Sequence, residues 1–212
     1  MMLKYKKFEK KYLDSCIEIV KSTWLFEENL INPKNPKYIY KHYVMNCVNW
    51  SEHLDLIVDD NDQVVGILFG SIEDNAWIKE FKYTIIQYKL NISMWWHIII
   101  GDLGQRKRAF EVYKNMKSHD AKGEADADNF DSEINLFILS PSLRGQGYGR
   151  KLMNRYVEFC KENNLDTVFL WTTTDCSWEF YERYGFNELR RFKFSSLDEE
   201  NTIVYQLNVW EK

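Results

Sequence analysis

The sequence predicts an α/β fold in which short strands and amphipathic helices alternate along one domain spanning residues 1–212. Short apolar runs bounded by turn residues alternate with segments whose apolar positions recur at helical spacing. One such run, Ile134 to Leu139, passes through a Pro-broken corner into Arg144-Gly145-Gln146-Gly147-Tyr148-Gly149 and then into a helical pattern of Leu152, Met153, Tyr156, Val157 and Cys160. A hydrophobic content of 45% over 212 residues is enough for one good core.

The elements follow in order. Leu3 to Phe8 reads as a first strand. Ser15-x-x-Glu18 reads as a capping box opening a helix that buries Ile17, Val20 and Trp24. Asn35-Pro36 caps a second helix through about Val48, with proline at the first helical position. Leu54 to Val58 and Val64 to Ile72 form a hairpin about the acidic turn Asp59 to Gln63. Ile78, Phe81, Ile85, Tyr88, Ile92, Trp95 and Ile99 step by threes and fours, predicting a long amphipathic helix broken at Gly101 to Gly104. A second helix is predicted from Gln105 to about Lys117, with Ala109, Tyr113 and Met116 inward. Both helices are expected to pack against the domain in preference to forming a coiled-coil dimer seam. The stretch Asp120 to Asp131 carries five acidic residues and one lysine and reads as a solvated, mobile loop. Strands at Thr167 to Trp171, Phe186 to Phe194 and Thr202 to Trp210 close the chain, the last two around a polar turn at 197–201.

Composition narrows the function classes. A net charge of −4 gives no reason to expect nucleic acid. Cys16, Cys47, Cys160 and Cys176 lack C-x-x-C spacing and read as reduced thiols of a cytoplasmic protein. The N-terminal residues have no apolar signal core, and the most apolar run, Ile92 to Ile100, is too short to span a bilayer. His42, His53, His97 and His119 show no metal or catalytic spacing, so no metal and no membrane association are expected.

The glycine segment is the most informative. Unpaired N–H groups in the first turn of a helix, with the helix dipole behind them, make an anion site. Glycine lets that backbone approach a pyrophosphate. A nucleotide P-loop needs Gly-Lys-Ser/Thr, whereas Gly149 is followed by Arg150-Lys151-Leu152. A dinucleotide fingerprint needs a G-x-G-x-x-G register, which is not met either. Arg144-x-x-Gly147-x-Gly149 after an acidic strand start instead resembles the acetyl-coenzyme A signature of the GNAT N-acetyltransferase superfamily. About thirty residues on, Thr174-Asp175-Cys176-Ser177-Trp178-Glu179-Phe180-Tyr181-Glu182-Arg183-Tyr184-Gly185-Phe186 resembles its second block, Asn-x-x-Ala-x-x-x-Tyr-x-x-x-Gly-Phe. From the residues alone it reads as a short helix capped by Thr174 or Asp175 and ended by Gly185.

The resemblance implies a GNAT acyltransferase fold: a central mixed, mostly antiparallel sheet flanked by helices, here with a helical insertion at about 75–131 before the coenzyme strand. It implies acetyl-coenzyme A as co-substrate, held by backbone of Phe137, Ile138 and Leu139, by Arg144, Gly145, Gln146, Gly147, Tyr148, Gly149 and Arg150, and by Thr174, Ser177 and Trp178. Thr174 and Ser177 depart from the family's asparagine and alanine. Tyr181 matches the tyrosine that protonates the departing thiolate. Glu133 is in register with the glutamate that serves as base in the histone acetyltransferase branch, with Asn135, Phe137 and Leu139 expected on its strand face and Asp55 and Glu73 as reserve candidates. The implied reaction is direct attack by a primary amine of a small molecule or peptide. A coenzyme-binding regulatory module, or transfer of another acyl group, stands as the alternative. Trp24, Tyr38, Tyr40 and Tyr43 beside Glu27 and Glu28, with the acidic stretch, favour a cationic acceptor. The chain is expected to be a monomer or homodimer.

Overall fold

The computed structural model describes residues 2–73, 77–194 and 199–212, without the side chains of 77–80 and 82. Ile78 and part of the turn at 197–201 therefore lie outside the described residues. Seven strands form one sheet in the order β1-β2-β3-β4-β5-β7-β6: β1 (Lys4–Lys7), β2 (His53–Val58), β3 (Val64–Ile72), β4 (Ser132–Leu139), β5 (Thr167–Thr173), β6 (Asn187–Phe192) and β7 (Thr202–Asn208). Every neighbouring pair is antiparallel except β4 and β5, which run parallel. This is the mixed, mostly antiparallel sheet that the resemblance implies.

Helices cover both faces. On one face α1 (Leu13–Thr23) and α2 (Lys37–Trp50) bury Ile17, Val20, Ile39, Tyr40 and Val44 against Leu56, Phe69, Leu136 and Ile138. On the other, α5 (Tyr148–Glu162) buries Leu152, Met153, Tyr156, Val157 and Cys160 against Ile57, Leu68, Ile134 and Val168, the helix face read from the sequence. The segment expected to be an insertion supplies α3 (Trp77–Ile100) and α4 (Arg106–Gly123), and α6 (Glu179–Tyr184) precedes β6. No described helix is long and apolar enough to cross a membrane.

Several expectations change on folding. Helix α1 starts at Leu13 with Tyr12 as its cap residue, so Ser15 is not a cap. Its hydroxyl oxygen instead accepts the Val64 N–H at 2.6 Å, pinning the helix to β3. The apolar stripe of α3 faces away from the domain: Phe81, Tyr88, Ile92 and Ile99 are exposed. The helix docks through Met94 and Ile98, while Asn91 Oδ1 accepts the Tyr113 hydroxyl and Gln87 Oε1 accepts the Trp50 indole N–H. Periodicity identified an apolar face; the core took the neighbouring one, about 100° around the helix, and Trp95 of the stripe reaches Phe110 and Tyr113 of α4. Helix α4 runs to Gly123, past the expected end at Lys117, because its C-terminal turns dock on the sheet edge. His119 meets the Trp171 ring edge to face, and Lys122 offers its carbonyl to Arg190. The acidic stretch is thus part helix, and beyond it Ala127 and Phe130 pack against Phe169.

Candidate active site

The site begins where the sheet fails. β4 and β5 pair only at Ser132–Val168 and Glu133–Phe169. Beyond Glu133, β4 keeps β3 as its sole ladder partner while β5 keeps β7. A wedge opens between two parallel strands. The Ser140 N–H bonds the Val65 carbonyl at 2.9 Å, so by strand alternation the polar groups of Ile138 face β3. Those of Phe137 and Leu139 face the wedge. Pro141 then ends the strand, having no N–H to donate. Of the three β4 residues expected to meet the coenzyme, Ile138 therefore has its backbone turned to β3 and its side chain buried beside α1 and α2.

At the wedge's wide end lies the glycine loop. Gly145 (φ +74°) and Gly147 (φ +82°) both hold left-handed backbone, which L side chains adopt only with strain, and Gly147 is the cap residue of α5. A Cβ at either would meet nothing within 4 Å, so the loop faces open space. No side chain caps α5, and its first i→i−4 bond runs from the Lys151 N–H to the Gly147 carbonyl. The N–H groups at the head of the helix are left for an anion. The loop is braced from within, because Gln146 Nε2 donates to the Ser142 carbonyl at 2.6 Å. Gly149 is buried and lets the helix start sit against Phe180 and Phe137, a packing role. Arg150 donates to the Arg183 carbonyl and lies over the Tyr184 ring, tying α5 to α6; Tyr148 is half-buried.

Helix α6 starts later than expected. Trp178 is its cap residue, and Thr174 is drawn into the β5–β7 connection, its hydroxyl oxygen accepting the Asn201 N–H at 3.0 Å. Ser177 is exposed, and Arg191 lies over the Trp178 ring. Gly185 ends the helix at φ +117°, as the motif predicts. Tyr181 sits among Phe137, Phe180, Phe186 and Tyr205. Burial, with Cys176 and Tyr205 adding to it, pushes its phenol up, so it is a proton donor across the physiological range. Among the described residues its hydroxyl has no hydrogen-bond partner.

Glu133 lies at the wedge's closed end, 7% exposed, its side chain without a hydrogen bond or ion pair among the described residues. Burial raises its carboxyl well above the usual range, and the carboxylates of Glu124, Glu73 and Asp120 push it further. Asp120 is itself raised to about 7, by burial first and then by Glu124. Asp120 lines a cavity with His42, Tyr43, Asn46, Tyr113 and Lys117, and burial raises Tyr43, with Cys47, Asp120 and Cys176 adding to it. Burial and Lys117 lower His42 to about 4, keeping it neutral. Cys176 adds to the upward shift of both Tyr181 and Tyr43.

Other candidates fall elsewhere. Asn135 forms a bulge in β4, since Ile134 pairs with Gly70 and Leu136 with Phe69. The bulge sends Phe137 to the α5 face, opposite Glu133, so the expected common face does not exist. Asp55 is fully buried two strands from the wedge; burial alone would raise its carboxyl, but His53, Arg155 and Lys7 hold it far below the usual range. It is a structural anion and not a base. Glu73 remains beside Glu133, its carboxylate accepting the Ser71 hydroxyl at 2.6 Å. Tyr40 is core against Phe26, Tyr38 stacks on His97, and Glu27 pairs with Lys21. Of the four aromatics named from the sequence, only Tyr43 lines the acidic pocket. Asp120 belongs to the acidic stretch expected at the cleft, whereas His42 was not singled out by the sequence, because nothing local brings α2 against α4.

Comparisons with known proteins agree with this geometry. The family model described as "Acetyltransferase (GNAT) family" matches residues 110–186, from α4 through the second motif. An uncharacterized N-acetyltransferase of Methanocaldococcus jannaschii is 36% identical over 59 residues, which are 27% of this chain and 26% of that protein. The match thus spans about a quarter of that relative's length. Among solved structures, arylalkylamine N-acetyltransferase 2 from Aedes aegypti superposes with a TM-score of 0.61 at 13% identity, covering 99% of this chain and 100% of that one. Ard1 from Thermoplasma volcanium gives 0.57 at 16% identity, covering 98% of each chain. An acetyltransferase of the GNAT family from Staphylococcus aureus gives 0.55 at 17% identity, covering 98% and 99%. At such identities these structures speak to the fold, and the family model to the motifs. With both of its motifs lying along one wedge in a sheet of this topology, the chain is similar to the GNAT acetyltransferase family over residues 110–186.

Proposed function

We propose that the chain is a single-domain N-acetyltransferase that moves acetyl from acetyl-coenzyme A to a cationic primary amine by direct attack. The observation that carries the reading is the β4–β5 wedge, with unsatisfied backbone N–H groups at one end and an unpartnered, buried carboxyl at the other. The N–H groups of residues 145–150, flanked by the exposed Arg144, suit a pyrophosphate, and the outward-facing backbone of Phe137 and Leu139 suits the amides of a pantetheine arm.

Chemistry follows from proton bookkeeping. An alkylammonium near pKa ~10.4 must lose its proton before its nitrogen can attack. Glu133, with its carboxyl held high, is a stronger base than a solvated glutamate once ionised. A cationic acceptor beside Asp120 and Glu124 offsets part of the burial and repulsion that keep Glu133 protonated, so binding itself prepares the base. As the carbon–sulfur bond breaks, Tyr181 gives its phenolic proton to the thiolate. A backbone N–H of Phe137 or Leu139 is available to the oxyanion.

The test is to mix the protein with acetyl-coenzyme A and a panel of cationic, neutral and anionic amines while following free thiol. Thiol release greatest with cationic amines, and weakened by salt, supports the proposal. Release only with neutral or anionic acceptors would overturn the cationic preference. Coenzyme binding without thiol release on any amine would assign a regulatory module instead.

A further inference from the structure

The outer face of α3 is the least expected surface of the molecule. Phe81, Ile85, Tyr88, Ile92, Trp95 and Ile99 are each 41% to 68% exposed. They are spaced 4, 3, 4, 3, 4, so aromatics recur every seventh residue (81, 88, 95) and isoleucines every seventh (85, 92, 99). A helix packed on its own domain needs one apolar stripe at period 3.6 with polar residues outward. Here α3 already buries Met94 and Ile98 against the domain and carries a second apolar stripe, in strict 3.5 register, toward solvent. A repeat of that period keeps a seam facing another helix, and β-branched residues at alternate seam positions are what paired helices use. Phe110 of α4 lies 5.1 Å from Trp95, ring centre to ring centre, and widens the patch.

We propose that this face is a self-association surface on which a second copy of the chain docks, α3 against α3. Area supports one partner of this size. At roughly 200 Å² for a large apolar side chain, the exposed fractions of these six residues and Phe110 amount to about 700 Å² per copy, approaching the ~800 Å² per partner of a stable interface. Monomers leave smaller patches, of about 300–600 Å². A second copy presents the same heptad register and so completes the knobs-into-holes pattern on both sides, with the isologous symmetry usual for dimers. The opening between β4 and β5 is built without α3, so association leaves the coenzyme end intact.

Sedimentation equilibrium tests this on the full chain. The wild type should be dimeric at about 10 μM. Tyr88→Glu with Ile92→Glu should weaken association at least tenfold while far-ultraviolet circular dichroism and coenzyme affinity stay unchanged. Ile92→Ser, a milder change at an exposed position, should give an intermediate dissociation constant. A wild type still monomeric at about 100 μM would overturn the proposal. So would a dimer whose constant is indifferent to both variants. A monomer that floats with phosphatidylcholine–phosphatidylserine vesicles, and loses this in the variants, would overturn it in favour of a lipid surface.

Discussion

The two ends of the β4–β5 wedge are made of different materials. The wide end is main chain: two left-handed glycines, a helix start without a side-chain cap, and strand groups turned away from their ladder. The closed end is side chain: Glu133 from β4, Tyr43 from α2, and Asp120 and Glu124 from the end of the expected insertion. A main-chain site tolerates changes in the surrounding side chains but not in backbone conformation. A side-chain site depends on elements distant in sequence arriving together, and its carboxyls tune one another's protonation. The contrast predicts that the ends fail separately, except where the chemistry joins them.

The largest effects belong to the two groups proposed to handle protons. Tyr181→Phe should lower turnover by about 10²-fold or more with coenzyme affinity nearly unchanged, because only the phenolic proton is removed. Glu133→Gln should cost a similar factor and change the shape of the pH–rate profile; a profile parallel to wild type would remove the base assignment.

Next come changes confined to the wide end. Gly147→Val should raise the coenzyme dissociation constant at least tenfold by calorimetry, since a β-branched residue is strained at φ +82°. Gly147→Asn, which tolerates left-handed backbone, separates conformation from space. If Asn retains most of the affinity, conformation governs; if it fails as Val does, the absent Cβ does.

At the closed end, Asp120→Asn with Glu124→Gln should raise the KM for a cationic acceptor by about 5- to 10-fold, with little change in kcat or coenzyme affinity. The salt dependence of KM should shrink with it. An unchanged KM would separate the acidic pocket from the acceptor.

The smallest effect is on stability. Asp120 has its folded pKa raised to about 7, so its contribution is most favourable at low pH and is lost as pH rises through that value. Asp120→Asn should therefore stabilise the protein by about 1–2 kcal/mol at pH 8, a rise in Tm of roughly 2–8 °C, and by almost nothing near pH ~3.5, where the carboxyl is protonated in the unfolded chain as well. Equal shifts at both pH values would show that the carboxyl is not strained.

Local chemistry made one end of the site readable. Glycine at 145, 147 and 185 is required by positive φ at all three positions, so these residues announce a loop and a helix end wherever they fold. The buried face of α5 follows from five residues within three turns. The hairpin of β2 and β3 was visible in its turn, where Asp59 Oδ1 accepts the N–H groups of Asn61 and Gln63 at 2.9 Å. Ser15 misled because a residue fit to cap a helix is equally fit to accept a hydrogen bond from a neighbouring strand. Glu133 was marked by its motif position, but its face relative to Phe137 was not, since a bulge of one residue reverses side-chain alternation without any compositional trace.

The residues alone carried the order of elements, the family's two motifs and an amphipathic α3, because helical period, turn chemistry and left-handed glycine act over a few neighbouring positions. Three things came only from the folded chain: the wedge beyond Glu133, the meeting of Asp120 with Tyr43 and Glu133, and the face of α3 left to solvent. Each depends on what lies across from a residue. A periodic pattern states that a face is apolar, and only packing states what covers it.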